Sequence, residues 1–515
     1  MKKFDVIIIG SGLGGLLCGY ILSKEGFSVC ILEKESKPGG NLQTFTRHGH
    51  RFETGVHYIG GLIPDQPLYR YWKYFGLTDA LPLKPLDPNG FDRIGFGDHE
   101  FPLAQGFENF REQLLPFFPV EEQTLSRYTA ALNEIASAFP LYNLELPGNH
   151  NETIFRTKSA CGFYKSFSSG FRNPASCING SSPGWEKPEP GAISLSSVLS
   201  GNNFLYAGTP STPLHMAALI NHSFISGACR ISGGSDQITQ ILVKGILAQG
   251  GVVLTAYKVI KIGKTGSDFS VETSRNETIS SARLISAIHP RITLSMLPEQ
   301  MVRPAYKARI DGLPDTISSF TLYLILKPGS FPYLNYNYYH HETIDVWNET
   351  GDTGTSWPAM YMLSTACHAP DQQYAETVTI LSFMDREEVK KWENTISGNR
   401  GKEYQEFKEE KAARLMVLVE KKFPGLKSAV IWMEASTPLT WRDYTGTPGG
   451  AMYGIRRDCQ DILHTTVLPK TKIPGLYFTG ENINLHGMLG VTIGSVMTCG
   501  EIIGLDYLIK KIKDG

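Results

Sequence analysis

Several protein classes are excluded by what the chain has little of. Its 515 residues hold only eight cysteines, at positions 18, 30, 161, 177, 229, 367, 459 and 499, with no Cys-x-x-Cys pair and no metal-ligand spacing. That argues against a disulfide scaffold or a zinc module and fits a reduced, cytoplasmic setting. Neither sign of charge dominates, with 49 Lys and Arg against 50 Asp and Glu, so nothing points to nucleic acid as a partner. No uncharged apolar run reaches the roughly 18 residues that a bilayer span requires, which leaves peripheral membrane contact open. The apolar run after Met1-Lys-Lys breaks at Gly10 and has no small-residue cleavage site, unlike a secretory signal. No internal repeat is evident, and the length suggests about two to four domains.

Against this background one stretch stands out, Phe4-Asp-Val-Ile-Ile-Ile-Gly-Ser-Gly-Leu-Gly-Gly15. Val6 to Ile9 are apolar without alternation, as in a buried parallel strand, and the chain then enters a glycine-rich turn and an apolar helix. Gly10 permits the tight turn, Gly12 lets the main chain approach a pyrophosphate, and Gly15 lets the helix lie close on the strand. A helix closing at Gly26 and a second strand from Phe27 to Leu32 complete the unit. Glu33 follows 23 positions after Gly10, close to the spacing of a carboxylate that accepts hydrogen bonds from a ribose diol. By itself this unit specifies a dinucleotide, NAD as readily as FAD.

Further motifs narrow the choice. Glu33-Lys34, Gly39-Gly40 and Phe52-Glu-Thr-Gly-Val-His-Tyr-Ile-Gly60, together with Gly475-Leu-Tyr-Phe-Thr-Gly-Glu-Asn482 and Gly487-Met-Leu-Gly-Val-Thr-Ile-Gly494, resemble the FAD-dependent retinol saturase branch of the phytoene desaturase and carotenoid isomerase superfamily. Many members of that superfamily carry an arginine after the paired glycines; Asn41 stands there in this chain, so that arginine's role does not carry over. The resemblance implies an α/β fold: a Rossmann-type FAD-binding domain of the glutathione reductase and amine oxidase type, an antiparallel-sheet substrate domain and a helical cap. It implies cofactor contacts from Gly10, Ser11, Gly12, Leu13 and Gly15, then Glu33, Lys34, Gly40, Asn41 and Gly55. Val259 would touch the adenine, and Gly480, Glu481, Gly490, Val491 and Thr492 the flavin half. As an exposed turn acid, Glu481 would instead bind nothing.

In chain order, residues 1–65, 226–295 and 460–515 are expected to build the FAD-binding domain, 66–225 the cap and 296–459 the substrate domain. Helical spacing marks Glu108–Phe118 and Glu121–Ala138. Residues 151–193, rich in Ser, Gly, Asn and Pro, read as a mobile lid or a partly disordered insertion. Strands are expected at Val252–Ile262, Phe269–Thr273 and Leu284–Ile288. Alternating runs at Phe320–Leu326, Ala359–Leu363 and Thr377–Phe383 read as an antiparallel sheet with one face on helices and the other walling a substrate cavity, and Glu403–Lys422 as an amphipathic helix.

The chemistry implied by the resemblance is hydride passage between flavin N5 and a carbon of an apolar polyene, with a proton exchanged at the neighbouring carbon. His57, Tyr58 and His486 are the proton-handling candidates, because they flank the two motifs that would meet at the flavin; each also reads as a packing residue, Tyr58 and His486 more readily than His57. Glu434, Arg442 and Tyr453 read either as a site for a polar substrate end or as ordinary surface pairs, and His289 is given no chemistry. With no second Gly-x-Gly-x-x-Gly after a strand, a built-in NAD(P)H domain is not expected. Electrons would then come from a partner protein, another reductant or NAD(P)H bound transiently. Saturation of a carbon–carbon double bond leads; desaturation and isomerisation of a polyene are alternatives, and a lipid or prenyl escort protein is the non-enzymatic one. An amine oxidase is disfavoured by the lack of a covalent-flavin cysteine motif and of a recognisable aromatic cage.

Overall fold

A computed structural model describes residues 3–146, 158–167, 193–348 and 357–515. The strand Lys3–Ile9 forms the centre of the first sheet, whose order runs Val252–Leu254, Val29–Leu32, Lys3–Ile9, Thr278–Ser286, all parallel. Thr278–Ser286 is long enough to be shared. Its first half pairs antiparallel with Asp268–Thr273, and its second half pairs parallel with Leu476–Phe478. Val259–Thr265 closes that edge as a hairpin with Asp268–Thr273.

The unbroken apolar run of the first strand is explained by cover on both faces. Val6 and Ile8 pack under the helices Leu13–Lys24, Asp236–Ala248 and Gly487–Ile503, while Ile7 and Ile9 pack against Leu294, Ile310 and Phe478. Where one strand was expected over Val252–Ile262, two form, because the chain turns through Ala256 at φ 58 between them.

The second sheet runs Val430–Ser436, Ser318–Leu326, Thr377–Met384, Met360–Thr365, Asn337–His341, Asp92–Phe96, His99–Leu103. All its pairs are antiparallel except Asn337–His341 with Asp92–Phe96. One face packs Phe320, Leu322 and Leu363 on the helix Lys402–Lys422 through Leu415 and Val419. The other turns Tyr339, Met360, Met362, Leu381 and Phe383 toward the cap, where Leu125, Tyr128 and Leu132 of the helix Glu122–Ser137 share one apolar layer with them.

Residues 92–103 thus form a β-hairpin inside a stretch expected to be helical. Its two-residue Gly97-Asp98 turn, with Gly97 at φ 55, and the pairs Ile94, Phe96 and Phe101, Leu103 are a hairpin signal. A smaller hairpin, Thr44–Arg47 with His50–Glu53, leads into the segment of His57 and Tyr58. A three-stranded ribbon of Ile59–Gly60, Ala228–Ile231 and Leu83–Pro85 then sets Arg230 near that segment. Of the expected lid at 151–193, only 158–167 and residue 193 lie within the described residues, and Ala160–Lys165 is helical. Among the described residues the cysteines form no disulfide, and no helix is long and apolar enough to cross a membrane.

Candidate active site

The glycine turn is shaped as its sequence suggests. Gly10 has φ 93, and Gly12 caps the helix Leu13–Lys24 at φ −62 and ψ 174. A Cβ on Gly12 would meet nothing within 4 Å, whereas one on Gly14 would stand 2.7 Å from Gly480 Cα and one on Gly15 would strike the Gly10 carbonyl oxygen. Gly40 closes in from another loop, its would-be Cβ 3.1 Å from Gly12 Cα. The turn is therefore enclosed on the protein side and open at Gly12, where the free N–H groups of a helix start favour phosphate. Leu13, the first helical residue, is buried in the core beneath.

Glu33 is buried and engaged on both oxygens. Oε2 accepts from Ser11 N at 3.0 Å and Ser11 Oγ at 2.5 Å, and Oε1 accepts from Glu35 N at 2.9 Å. The Tyr257 N–H donates to the Glu33 carbonyl at 2.7 Å, which sets the start of the Val259 strand beside this acid. Lys34 is turned elsewhere: its ammonium donates to the Asp443 carbonyl at 2.5 Å and pairs with Glu35 at 3.1 Å.

The remaining expected contacts fall into two groups, Asn41 with Gly55 and the residues from Gly480 to Thr492. A Cβ on Gly55 would come 3.1 Å from Asn41 Cβ, and Thr54 Oγ1 donates to the Asn41 carbonyl at 3.2 Å. Gly480, at φ 90, turns the chain from Leu476–Phe478 into Glu481. The Glu481 carboxyl has no hydrogen bond among the described residues; burial, reinforced by Asp315, pushes its pKa up to about 8. At the helix Gly487–Ile503, Gly490 packs on Leu485 with its would-be Cβ 2.5 Å from Leu485 Cβ, and Val491 is buried in the core. Thr492 Oγ1 donates to the Met488 carbonyl at 2.8 Å and accepts from Trp72 Nε1 at 3.2 Å. With that hydroxyl engaged, the unpaired donors of this helix start are the N–H groups of His486 to Leu489, a set that the Gly490-Val-Thr492 motif did not name.

These features fit a bound dinucleotide: open space over Gly12 at a helix start, a half-buried Glu481 carboxyl with no hydrogen bond, and two imidazoles, half-buried His57 and buried His486, with ring nitrogens that have no partner among the described residues. His57 Nε2 has none, and burial with the Arg230 charge lowers its pKa to about 4. His486 has none on either nitrogen, and burial with Arg457 lowers it to about 3. Both rings are therefore neutral at pH 7. His486 stacks on Tyr453 with ring centres 4.4 Å apart. A cavity of about 20 Å³, lined by Glu53, His57, Tyr58, Arg230 and Cys367 among others, has room for one water. Burial holds Glu53 up at about 7, although Ser235 N donates to it at 3.1 Å.

Tyr58 is bonded to two groups that sequence reasoning missed. Its hydroxyl donates to Asp92 Oδ2 at 2.9 Å and lies 2.6 Å from the Tyr339 hydroxyl. Asp92 is fully buried, which raises its carboxyl to about 7, and Asn337 Nδ2 donates to its Oδ1 at 3.1 Å. Asn337 Oδ1 in turn accepts from Arg230 Nη2 at 2.9 Å. A lone acid at the start of an apolar alternating strand was the available signal for Asp92. The three elements that carry this network are far apart in sequence, so spacing could not join them.

Glu434 pairs at the surface with Arg47 at 2.9 Å and Arg442 with Asp443 at 2.8 Å, whereas half-buried Tyr453 stacks on His486. Only Tyr453 of that trio shares the candidate site. His289 Nδ1 accepts from Arg291 N–H at 3.2 Å, capping the helix Pro290–Ser295, and its Nε2 donates to Asp315 at 2.9 Å.

Residues 8–75 match the NAD(P)-binding Rossmann-like domain, and residues 180–502 match the flavin containing amine oxidoreductase family. The chain is 26% identical over 536 residues to the all-trans-retinol 13,14-reductase of Danio rerio, covering 98% of this chain and 86% of that protein. To prolycopene isomerase 1, chloroplastic, of an Oncidium hybrid cultivar it is 24% identical over 541 residues, covering 99% and 85%. Wild-type putrescine oxidase bound to putrescine superposes with a TM-score of 0.60 at 17% identity over 98% of this chain and 99% of that one, a likeness of fold.

Proposed function

Because this chain belongs to the flavin containing amine oxidoreductase family, we propose that it binds FAD and reduces a carbon–carbon double bond of an apolar polyene such as a retinoid or carotenoid. The observation that carries the reading is the apolar layer between sheet and cap. Tyr339, Met360, Met362, Leu381 and Phe383 share it with Met452 and Leu485, which precede in sequence Tyr453 and His486, two rings stacked 4.4 Å apart. A lining of this composition suits a long unsaturated hydrocarbon. Similarity to a retinol reductase over nearly the full chain supports the same choice.

When bound, FAD supplies hydride transfer at its N5. Gly10, Ser11, Gly12, Leu13, Gly15, Gly40 and the helix start beneath them hold the pyrophosphate, Glu33 the ribose, and Val259 flanks the adenine. Lys34 supports the loop from the Asp443 side. Asn41, Gly55, Gly480 and Glu481 line the ribityl side, and the helix start before Gly490, Val491 and Thr492 favours the negative charge of reduced flavin. His57 and His486, being neutral, donate or accept hydrogen bonds without adding charge, and Tyr58 handles the proton. Substrate reaches the cytoplasmic protein from a membrane surface, and a separate donor, NAD(P)H or another reductant, supplies electrons. Isomerisation is the second reading, favoured by similarity to prolycopene isomerase.

The test is the visible spectrum of the purified protein together with mass spectrometry of its extracted lipids. Flavin absorbance and a bound polyene are expected. Colourless protein that takes up no FAD would overturn the enzyme reading in favour of a lipid escort.

A further inference from the structure

Asp92, Tyr58 and Tyr339 form a row of three oxygens with separations of 2.9 and 2.6 Å. Asp92 is at the inner end, held by Asn337 Nδ2 at 3.1 Å and Asn202 Nδ2 at 3.5 Å. Tyr339 is at the other end, fully buried on the face of the second sheet that meets the apolar cap layer. Each phenol has one proton, so the direction of the row is set by its end. If Asp92 is ionised, Tyr58 gives its proton to Asp92 and Tyr339 must give its own to Tyr58, which leaves a lone pair outermost. If Asp92 is protonated, every bond reverses and the Tyr339 O–H is free to point into the apolar layer.

We propose that these residues are a proton wire: Tyr339 exchanges the substrate proton, and Asp92, through Tyr58, sets whether the wire gives or takes it. The inference rests on the reductase reading. In that direction, hydride from a reduced flavin adds to one alkene carbon and the π pair moves to its neighbour. The Tyr339 O–H bond breaks and its proton joins that neighbour. The Tyr58 proton shifts to the Tyr339 oxygen, the Asp92 proton shifts to the Tyr58 oxygen, and the carboxylate left behind is reprotonated from solvent. Asn337 steadies that carboxylate, with the buried Arg230 guanidinium one amide away and bonded to Asn337 Oδ1 at 2.9 Å. Among the described residues Arg230 pairs with no carboxylate, and Asp92 is the acid it faces through the Asn337 amide.

The titratable or charged groups facing Asp92 are Tyr58 from its segment, Tyr339 from the sheet and Arg230 from the ribbon; Tyr453 faces Tyr339. Burial outweighs the Asn337, Tyr58 and Asn202 hydrogen bonds and leaves the carboxyl near neutrality, where both directions of the wire are reachable.

The experiment uses FAD-loaded protein and all-trans-retinol as probe. Infrared difference spectra should show a protonated carboxyl band vanishing as pH rises through about 7, absent from Asp92→Asn. Reductive turnover should fall about tenfold per pH unit above that midpoint in the wild type and be flat in Asp92→Asn. Tyr339→Phe should lose about 100-fold or more in turnover with flavin content unchanged and should shift the midpoint of the band. If Asp92→Asn does not hold FAD, Tyr58→Phe replaces it: the turnover limb flattens while the band persists. A band that does not titrate, or wild-type turnover in Tyr339→Phe, overturns the wire. A wild type inert toward the polyene overturns the reductase reading instead, and the wire then stands or falls on whether Tyr339→Phe moves the infrared midpoint.

Discussion

A methyl group at Gly12 separates cofactor binding from folding. The residue has φ −62 and ψ 174, which alanine adopts without strain, and its Cβ would meet no protein atom within 4 Å. Replacing glycine at such a position restricts the unfolded chain, so Gly12→Ala should leave the FAD-free protein as stable as the wild type or about 0.4–1 kcal/mol more stable. The methyl would fill the space over the helix start, where phosphate oxygens approach main-chain N–H groups. Losing one such charge-assisted bond costs about 1.5–3 kcal/mol, which corresponds to roughly a 10- to 150-fold weaker FAD affinity. Gly14→Ala is the contrasting variant: its Cβ would stand 2.7 Å from Gly480 Cα, main chain that yields little, and overpacking of this kind costs about 1–3 kcal/mol. The assay pairs urea unfolding of FAD-free protein with flavin retained after gel filtration. Wild-type FAD affinity in Gly12→Ala, or a loss of stability as large as that in Gly14→Ala, would refute the assignment of this turn to the pyrophosphate.

Three other outcomes are expected. Arg230→Ala removes a buried guanidinium that donates to Tyr333, Leu334, Tyr336, Asn337 and Ser364, and denaturant unfolding should show a loss of about 3–5 kcal/mol. His57 and His486 have folded pKa values of about 4 and 3, below the unfolded value, so the unfolded chain binds their protons first and stability is lost as pH falls from about 6.5 through these values; Glu481, raised from 4.5 to about 8, acts in the opposite sense, its contribution being lost as pH rises from about 4.5 through 8, so Glu481→Gln should lessen the decline of FAD-free protein toward pH 8. His57→Ala and His486→Ala should slow turnover with FAD bound, and full turnover in both would remove these imidazoles from the chemistry.

Much of the nucleotide half was legible because its determinants are local. An apolar strand, a glycine turn and a strand-ending acid follow one another within about 30 residues, and such a unit has few other uses. The C-terminal strand and helix were similarly readable, but a helix that starts at Gly487 has its unpaired N–H groups one turn before Val491 and Thr492, and Thr492 Oγ1 is itself committed to Trp72 and Met488. The hairpin at 92–103 was hidden by helical patterns on its far side, although its Gly97-Asp98 turn is a local signal. Asp92, Asn337 and Tyr339 could not be joined to Tyr58 from sequence. Their contact depends on a parallel pairing of Asp92–Phe96 with Asn337–His341, two strands about 245 residues apart, and no local pattern encodes which strands become neighbours.

Saturation is distinguished from isomerisation by mixing anaerobic, dithionite-reduced protein with all-trans-retinol and weighing the product. A product two mass units heavier, formed as the oxidised flavin spectrum returns, is expected. A product of unchanged mass with altered chromatographic retention, or no reoxidation of the flavin at all, would contradict saturation.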